Sequence, residues 1–240
     1  MASSIISIAA LLISVLSLII SIVQKQKETD RSIRKNLSDS LENVSKINLE
    51  VSKLKQDQAL FNSANGIELR RMYNSQRRIL IAHADFLVSR YGSLTTDIDC
   101  NLIAGGYEAI GDYEKAENYW VKTIEKSISN PIRHMNFRGY ARFLFHQGKF
   151  QLGRSKYEEA LKVELSDTDD NRRLISDTYL MWASTEREFN NFSETERLIG
   201  LGQSYCGRIG HVKMRDEMQK RIEQFRLNIK NYLPPSDIAS

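Results

Sequence analysis

Hydrophobic and polar positions are spread very unevenly along the chain. Residues 5–23 read IISIAALLISVLSLIISIV and carry no charge. At ~1.5 Å rise per residue such a run extends about 29 Å, close to the hydrocarbon thickness of a bilayer. The pattern predicts a transmembrane anchor over residues 1–24. Lys25, Lys27, Arg31, Arg34 and Lys35 follow it directly. The positive-inside rule then predicts a single-pass protein with its C-terminal domain in the cytoplasm. Within the run, Ser7, Ala10, Ser14, Ser17 and Ser21 recur at spacings of 3, 4, 3 and 4. This stripe suits close approach of two spans. A lone span also tolerates serine, bonded to its own backbone.

Residues 25–65 turn polar but keep a heptad pattern. Leu37, Val44 and Val51 share one position, followed by Gln58; Ile33, Ile47, Leu54 and Phe61 share the other, with Ser40 interrupting. Two readings stand: a parallel coiled-coil spacer, or one amphipathic helix folded back on the next domain. Asn62, Ser63, Asn65 and Gly66 break the pattern. A basic linking or N-capping helix is predicted within 66–96, and Arg70, Arg71, Arg77 and Arg78 cluster on it. Arginine clusters bind phosphate; a solvated basic face is the plainer reading, since no aromatics are interleaved.

Residues 97–208 contain an internal repeat. Three segments, 100–124, 137–161 and 179–203, align on Gly111, Gly148 and Asn190. Each predicts a helix, a tight turn, an aromatic two residues on (Tyr113, Phe150 or Phe192), and a second helix. Gly and Asn fit the turn because they tolerate positive φ. The repeated positions read Cys100, Ile103, Ala104, Tyr107, Gly111, Tyr113, Ala116, Trp120 and Thr123 in the first segment. The second reads Phe137, Tyr140, Ala141, Leu144, Gly148, Phe150, Gly153, Tyr157 and Ala160. The third reads Tyr179, Trp182, Ala183, Glu186, Asn190, Phe192, Thr195, Ile199 and Gly202. This pattern resembles the tetratricopeptide repeat family, with a degenerate third copy and turn spacings of 37 and 42 residues against the family's 34.

The remaining sequence extends the all-helical picture. Met218, Ile222, Phe225 and Ile229 recur at 4, 3, 4 and predict a capping helix within 209–233, ended by Pro234 and Pro235; residues 234–240 form a tail. Three Pro and 12 Gly among 240 residues suit long helices. The fold class expected is therefore all-α: a transmembrane helix, a long coiled-coil-like helix, then an α-solenoid of about three hairpins with a C-terminal cap. Net charge is +4, with 34 Lys+Arg against 30 Asp+Glu, too mild to mark a nucleic-acid binder. No P-loop, HExxH or zinc-finger spacing occurs. His83, His134, His146 and His211 have no mutual metal spacing and read as packing or surface residues. Cys100 reads as core; Cys206 lies in the Gly-rich run IGLGQSYCGRIG, which reads as a loop. No catalytic residue, cofactor or metal ligand is assigned, and the chain is not expected to be an enzyme.

The resemblance implies a protein-binding surface on the first helix of each repeat. Carried over by position, it includes Asn101, Glu108, Arg138, Arg142, Phe145, His146, Asp177, Leu180, Ser184 and Arg187. Its arginines point to an acidic peptide or acidic partner, unless they pair internally with Glu108, Asp177 or Glu188. The expected function is a membrane-anchored adaptor that recruits a protein partner. The alternatives are a self-associating membrane scaffold, homo-oligomeric through span and coil, and a lipid or nucleic-acid phosphate binder at Arg70–Arg78. A nucleic-acid partner is the least expected.

Overall fold

The computed structural model describes the backbone of residues 2–230 and the side chains of residues 14–228. Among these the regular structure is all helical: ten α-helices and one 3₁₀ turn, with no strand. The chain divides into two compact units, Met1–Thr123 and Ile124–Ser240.

The first unit contains α1 (Ala2–Gln56), α2 (Gln58–Asn62), α3 (Ala64–Arg90), α4 (Asp97–Ile110) and all but the last two residues of α5 (Tyr113–Glu125). Asp57 ends α1 and starts α2, its carboxylate accepting the Leu60 amide at 2.9 Å. Ser63 starts α3 in the same way, through the Gly66 amide at 3.0 Å. The chain thus turns back and lays α3 along α1, and α1 also packs on α4. The heptad stripe is the contact face. Ile33, Leu37, Ser40, Leu41, Val44, Ile47 and Leu54 are all buried. The seam is therefore filled by the chain's own helices, and the coiled-coil spacer gives way to the folded-back amphipathic helix. Gln58 and Phe61 fall in α2, outside that stripe.

The transmembrane expectation does not stand. No helix among the described residues is long and apolar enough to cross a membrane. Of the apolar run, described side chains begin at Ser14. The membrane anchor, the single-pass topology and the cytoplasmic placement derived from it fall with that finding. Ser7 and Ala10 lie outside the described side chains; Ser14, Ser17 and Ser21 are exposed on α1.

The second unit contains α6 (Asn130–His146), α7 (Phe150–Lys162), α8 (Asp169–Glu188), α9 (Phe192–Gly207) and α10 (Val212–Lys230). α6 packs on α7, α8 on α9, and α10 on both α8 and α9. The turns aligned in the sequence have φ of +81° at Gly111, +70° at Gly148 and +61° at Asn190. These are left-handed conformations, which explains the residue types chosen. The aromatics that follow only partly fill their hairpins: Tyr113, Phe150 and Phe192 stay 48, 37 and 41% exposed. The other repeated positions are buried, apart from Phe137 and Tyr179, which are half-buried. Tyr157, Leu180, Trp182, Leu198 and Ile199 share one core with Met218 and Ile222 of α10. The approach to α10 is pinned by Asp169, whose carboxylate accepts the Gly210 and His211 amides at 2.9 and 2.8 Å. The Gly-rich run is not a loop: most of it completes α9, and Cys206 is buried with its thiol pKa raised by that burial.

Candidate functional site

The sequence-derived groove residues fall in both units. In the first, Asn101 and Glu108 are half-buried on α4. In the second, α6, α8 and α10 line a cleft of about 450 Å³. Arg138 and Asp177 are on its wall, with Met135, Met214 and Met218 supplying apolar surface. A second cleft, of about 370 Å³, is lined by Leu180, Met181, Ser184 and Phe225. Arg221 borders both. Four of the assigned residues, Arg138, Asp177, Leu180 and Ser184, thus lie on these clefts.

The others do not. Phe145 is fully buried and packs edge-on against Phe150 and Tyr157 at centroid distances of 5.8 and 6.1 Å, so it is a core residue. His146 is exposed and pairs with Glu188 at 3.3 Å. Arg142 is exposed on α6 but borders neither cleft. Arg187 donates to the Asn228 carbonyl at 3.4 Å, tying α8 to α10.

The cleft's arginines meet carboxylates of the chain. Asp177 receives Arg138 at 2.8 Å on one oxygen and Arg221 at 2.5 Å on the other. Arg173 lies 3.9 Å from Asp170. An acidic ligand would have to compete with carboxylates already in place, so the acidic-partner expectation loses its electrostatic basis here. Sequence reasoning missed Arg221, Met214 and Met181. Arg221 sits one turn before Phe225 on α10.

Two buried polar clusters stiffen the framework. Glu186, fully buried, takes a two-pronged pair from Arg154 at 2.7 Å on each oxygen, plus Trp182 at 3.0 Å and Asn191 at 2.8 Å. Burial pushes its carboxyl pKa up, but these donors win and hold it below the ordinary value. In the first unit Asp85 accepts from the hydroxyls of Tyr107 and Tyr119, with Lys115 3.8 Å away. Burial likewise raises the Asp85 pKa, and the two hydroxyls with Lys115 and Lys122 bring it below normal. Burial and the Asp85 charge raise both tyrosines, so they remain protonated donors.

The Arg70–Arg78 cluster is split by the helix. Arg70 and Arg77, seven residues apart, line a cleft between α1 and α3. Arg71 is exposed, 3.7 Å from Glu68. Arg78 caps the C-terminus of α4, donating to the Ile110 carbonyl at 3.1 Å. Among the described residues no group of three or more His, Cys, Asp or Glu is placed to hold a metal ion.

No family model matches the chain. A comparison with curated proteins finds no match. Among solved structures, the chain is similar to BtubC (BKLC) from P. vanneervenii, at 13% identity and a TM-score of 0.41. That match covers 85% of this chain and 96% of the other. A likeness at this level leaves the function to be read from the chain's own clefts.

Proposed function

We propose that the chain is a protein-interaction module whose hairpins are tetratricopeptide-like repeats, and that its second unit holds a peptide segment of a partner along α8. The observation that carries this reading is the pair of clefts on α8 that share Arg221. Methionine walls adapt to varied apolar side chains, and Met135, Met181, Met214 and Met218 line these clefts. The left-handed turns and the burial of the repeated positions support the repeat reading. Because Arg138, Arg173 and Arg221 share the first cleft with Asp170, Asp177 and Glu217, the favoured segment is apolar with flanking charges of both signs, rather than acidic.

Panning a random peptide display library against the full chain tests this. Enriched peptides are expected to bind at least about tenfold more weakly, or about 1.4 kcal/mol, to Met181→Glu than to the parent. Gln203→Glu, on the exposed side of α9, is expected to bind like the parent. Peptides that bind parent and Met181→Glu equally would remove the clefts as the binding surface.

A further inference from the structure

In the first unit, α1 and α3 enclose a cleft of about 440 Å³ whose charged lining is entirely cationic: Lys55, Arg70 and Arg77. No carboxylate lines it; the neighbouring polar groups are Asn48, Ser52 and Asn74. Its volume falls within the ordinary range of small-molecule sites.

Arg77 is the informative residue. It is only 4% exposed. One guanidinium nitrogen, Nη1, donates to Asn74 Oδ1 at 2.7 Å. Its Nε is buried with no hydrogen-bond partner. Among the described residues no carboxylate pairs with it, and burial lowers its pKa. The contrast with Arg154 is direct, since that half-buried arginine is met by Glu186 on two nitrogens. A buried charge without a counter-charge costs several kcal/mol. Buried charges are ordinarily paired, and an anion entering the cleft would supply the missing counter-charge.

Arg70 is held ready beside it. Its guanidinium lies 4.0 Å from the centroid of the Phe61 ring, and its Nε reaches the Gly66 carbonyl at 3.4 Å. Both contacts leave the terminal Nη donors to the cleft. Two guanidinium forks and an ammonium match a doubly charged phosphate better than a single carboxylate.

We infer that this cleft between α1 and α3 binds a phosphate group, with Arg77 at its floor and Arg70 and Lys55 at its rim. The site lies in the first unit and does not depend on peptide binding in the second. The same phosphate chemistry is offered by free inorganic phosphate and by a small phosphate monoester. The volume exceeds what one phosphate fills, and Asn48, Ser52 and Asn74 suit the hydroxyls of an attached organic part.

Calorimetric titration and thermal unfolding of the full chain, in low-salt chloride buffer, test this with inorganic phosphate and with glycerol phosphate. Each anion at about 10 mM should raise the melting temperature if its Kd is about 1 mM or tighter. Glycerol phosphate binding at least about tenfold tighter identifies an ester site; equal affinities identify a free-phosphate site; either supports the proposal. Arg70→Gln should weaken binding by about tenfold or more, while the exposed Arg71→Gln should not. Arg77→Met removes the unpaired charge. It should raise the melting temperature without phosphate and abolish the rise with phosphate. Absence of binding by both anions, equal losses for Arg70→Gln and Arg71→Gln, or destabilisation by Arg77→Met would each overturn the inference.

Discussion

At the scale of single residues, the polar groups in apolar places explain most. Ser40 interrupts the α1 stripe, yet it is buried and 2.9 Å from His83 Nδ1 on α3. Its hydroxyl already donates to the Asn36 carbonyl, so His83 supplies the proton. His134 is the second case. Its Nε2 lies 2.7 Å from the Thr178 hydroxyl, which also reaches the Leu174 carbonyl at 2.9 Å. Nδ1 is buried, and the Ala160 backbone partly offsets the shift by favouring the protonated ring. Burial, with the Arg138 charge nearby, lowers the His134 pKa to about 4. A base with a depressed folded-state pKa binds fewer protons folded than unfolded. Its stability contribution is complete above the unfolded value of about 6.5 and is lost as pH falls toward 4. Urea unfolding at pH 7 and 4.5 should show the parent losing about 2–3 kcal/mol more than His134→Gln. Equal losses would mean that His134 does not carry this dependence.

At the scale of elements, the hairpin turns were legible because left-handed geometry selects residue type. Gly148 has φ of +70°, and a Cβ there would meet nothing within 4 Å. Gly148→Ala therefore isolates the backbone cost and should destabilise by about 1 kcal/mol. Asn190→Gly should be nearly neutral or slightly stabilising, since Asn already tolerates that conformation. Paired thermal unfolding scans decide it; an unchanged melting temperature for Gly148→Ala would contradict the turn assignment. The α1 stripe was legible too, but its partner was not. A heptad seam is satisfied equally by a second copy or by another helix of the same chain. The arginine cluster shows what closer use of periodicity would have found. Residues 70, 74 and 77 share one face of α3, whereas 71 and 78 are each turned by about 100° from their neighbours. Glu186 stayed illegible, because its partner Arg154 lies 32 residues away on α7.

At the scale of the whole chain, the two units divide the sequence at the end of the first repeated segment. Residues 100–123 look like the first of three similar hairpins, yet they lie in the same unit as α1 and α3. Local contacts account for this. Gly106 lets Ile81 of α3 approach so closely that a Cβ would sit 2.2 Å from its Cδ1. Arg34 of α1 reaches Asp99 at 2.5 Å, on the same carboxylate that closes the capping box of α4 with Thr96. A repeat alignment records similarity of form, and these contacts are specific to one copy. The charge was equally hard to place from the sequence: the +4 total hides one cleft where cations stand alone and another where they are matched.

The burial of α1 begins at Ile33, and nearly every described residue before it is exposed. Geometrically α1 is a single rod, but in free energy it has two regimes. Beyond Ile33 its backbone opens only with the packing against α3 and α4, whereas the preceding turns depend on helix propagation alone, which is marginal in water. Amide hydrogen exchange should therefore show a step near Ile33. Residues 37–54 should exchange as slowly as α3, and residues 14–30 faster by a factor of about a hundred or more. Uniform protection along the whole helix would mean that something covers its first half.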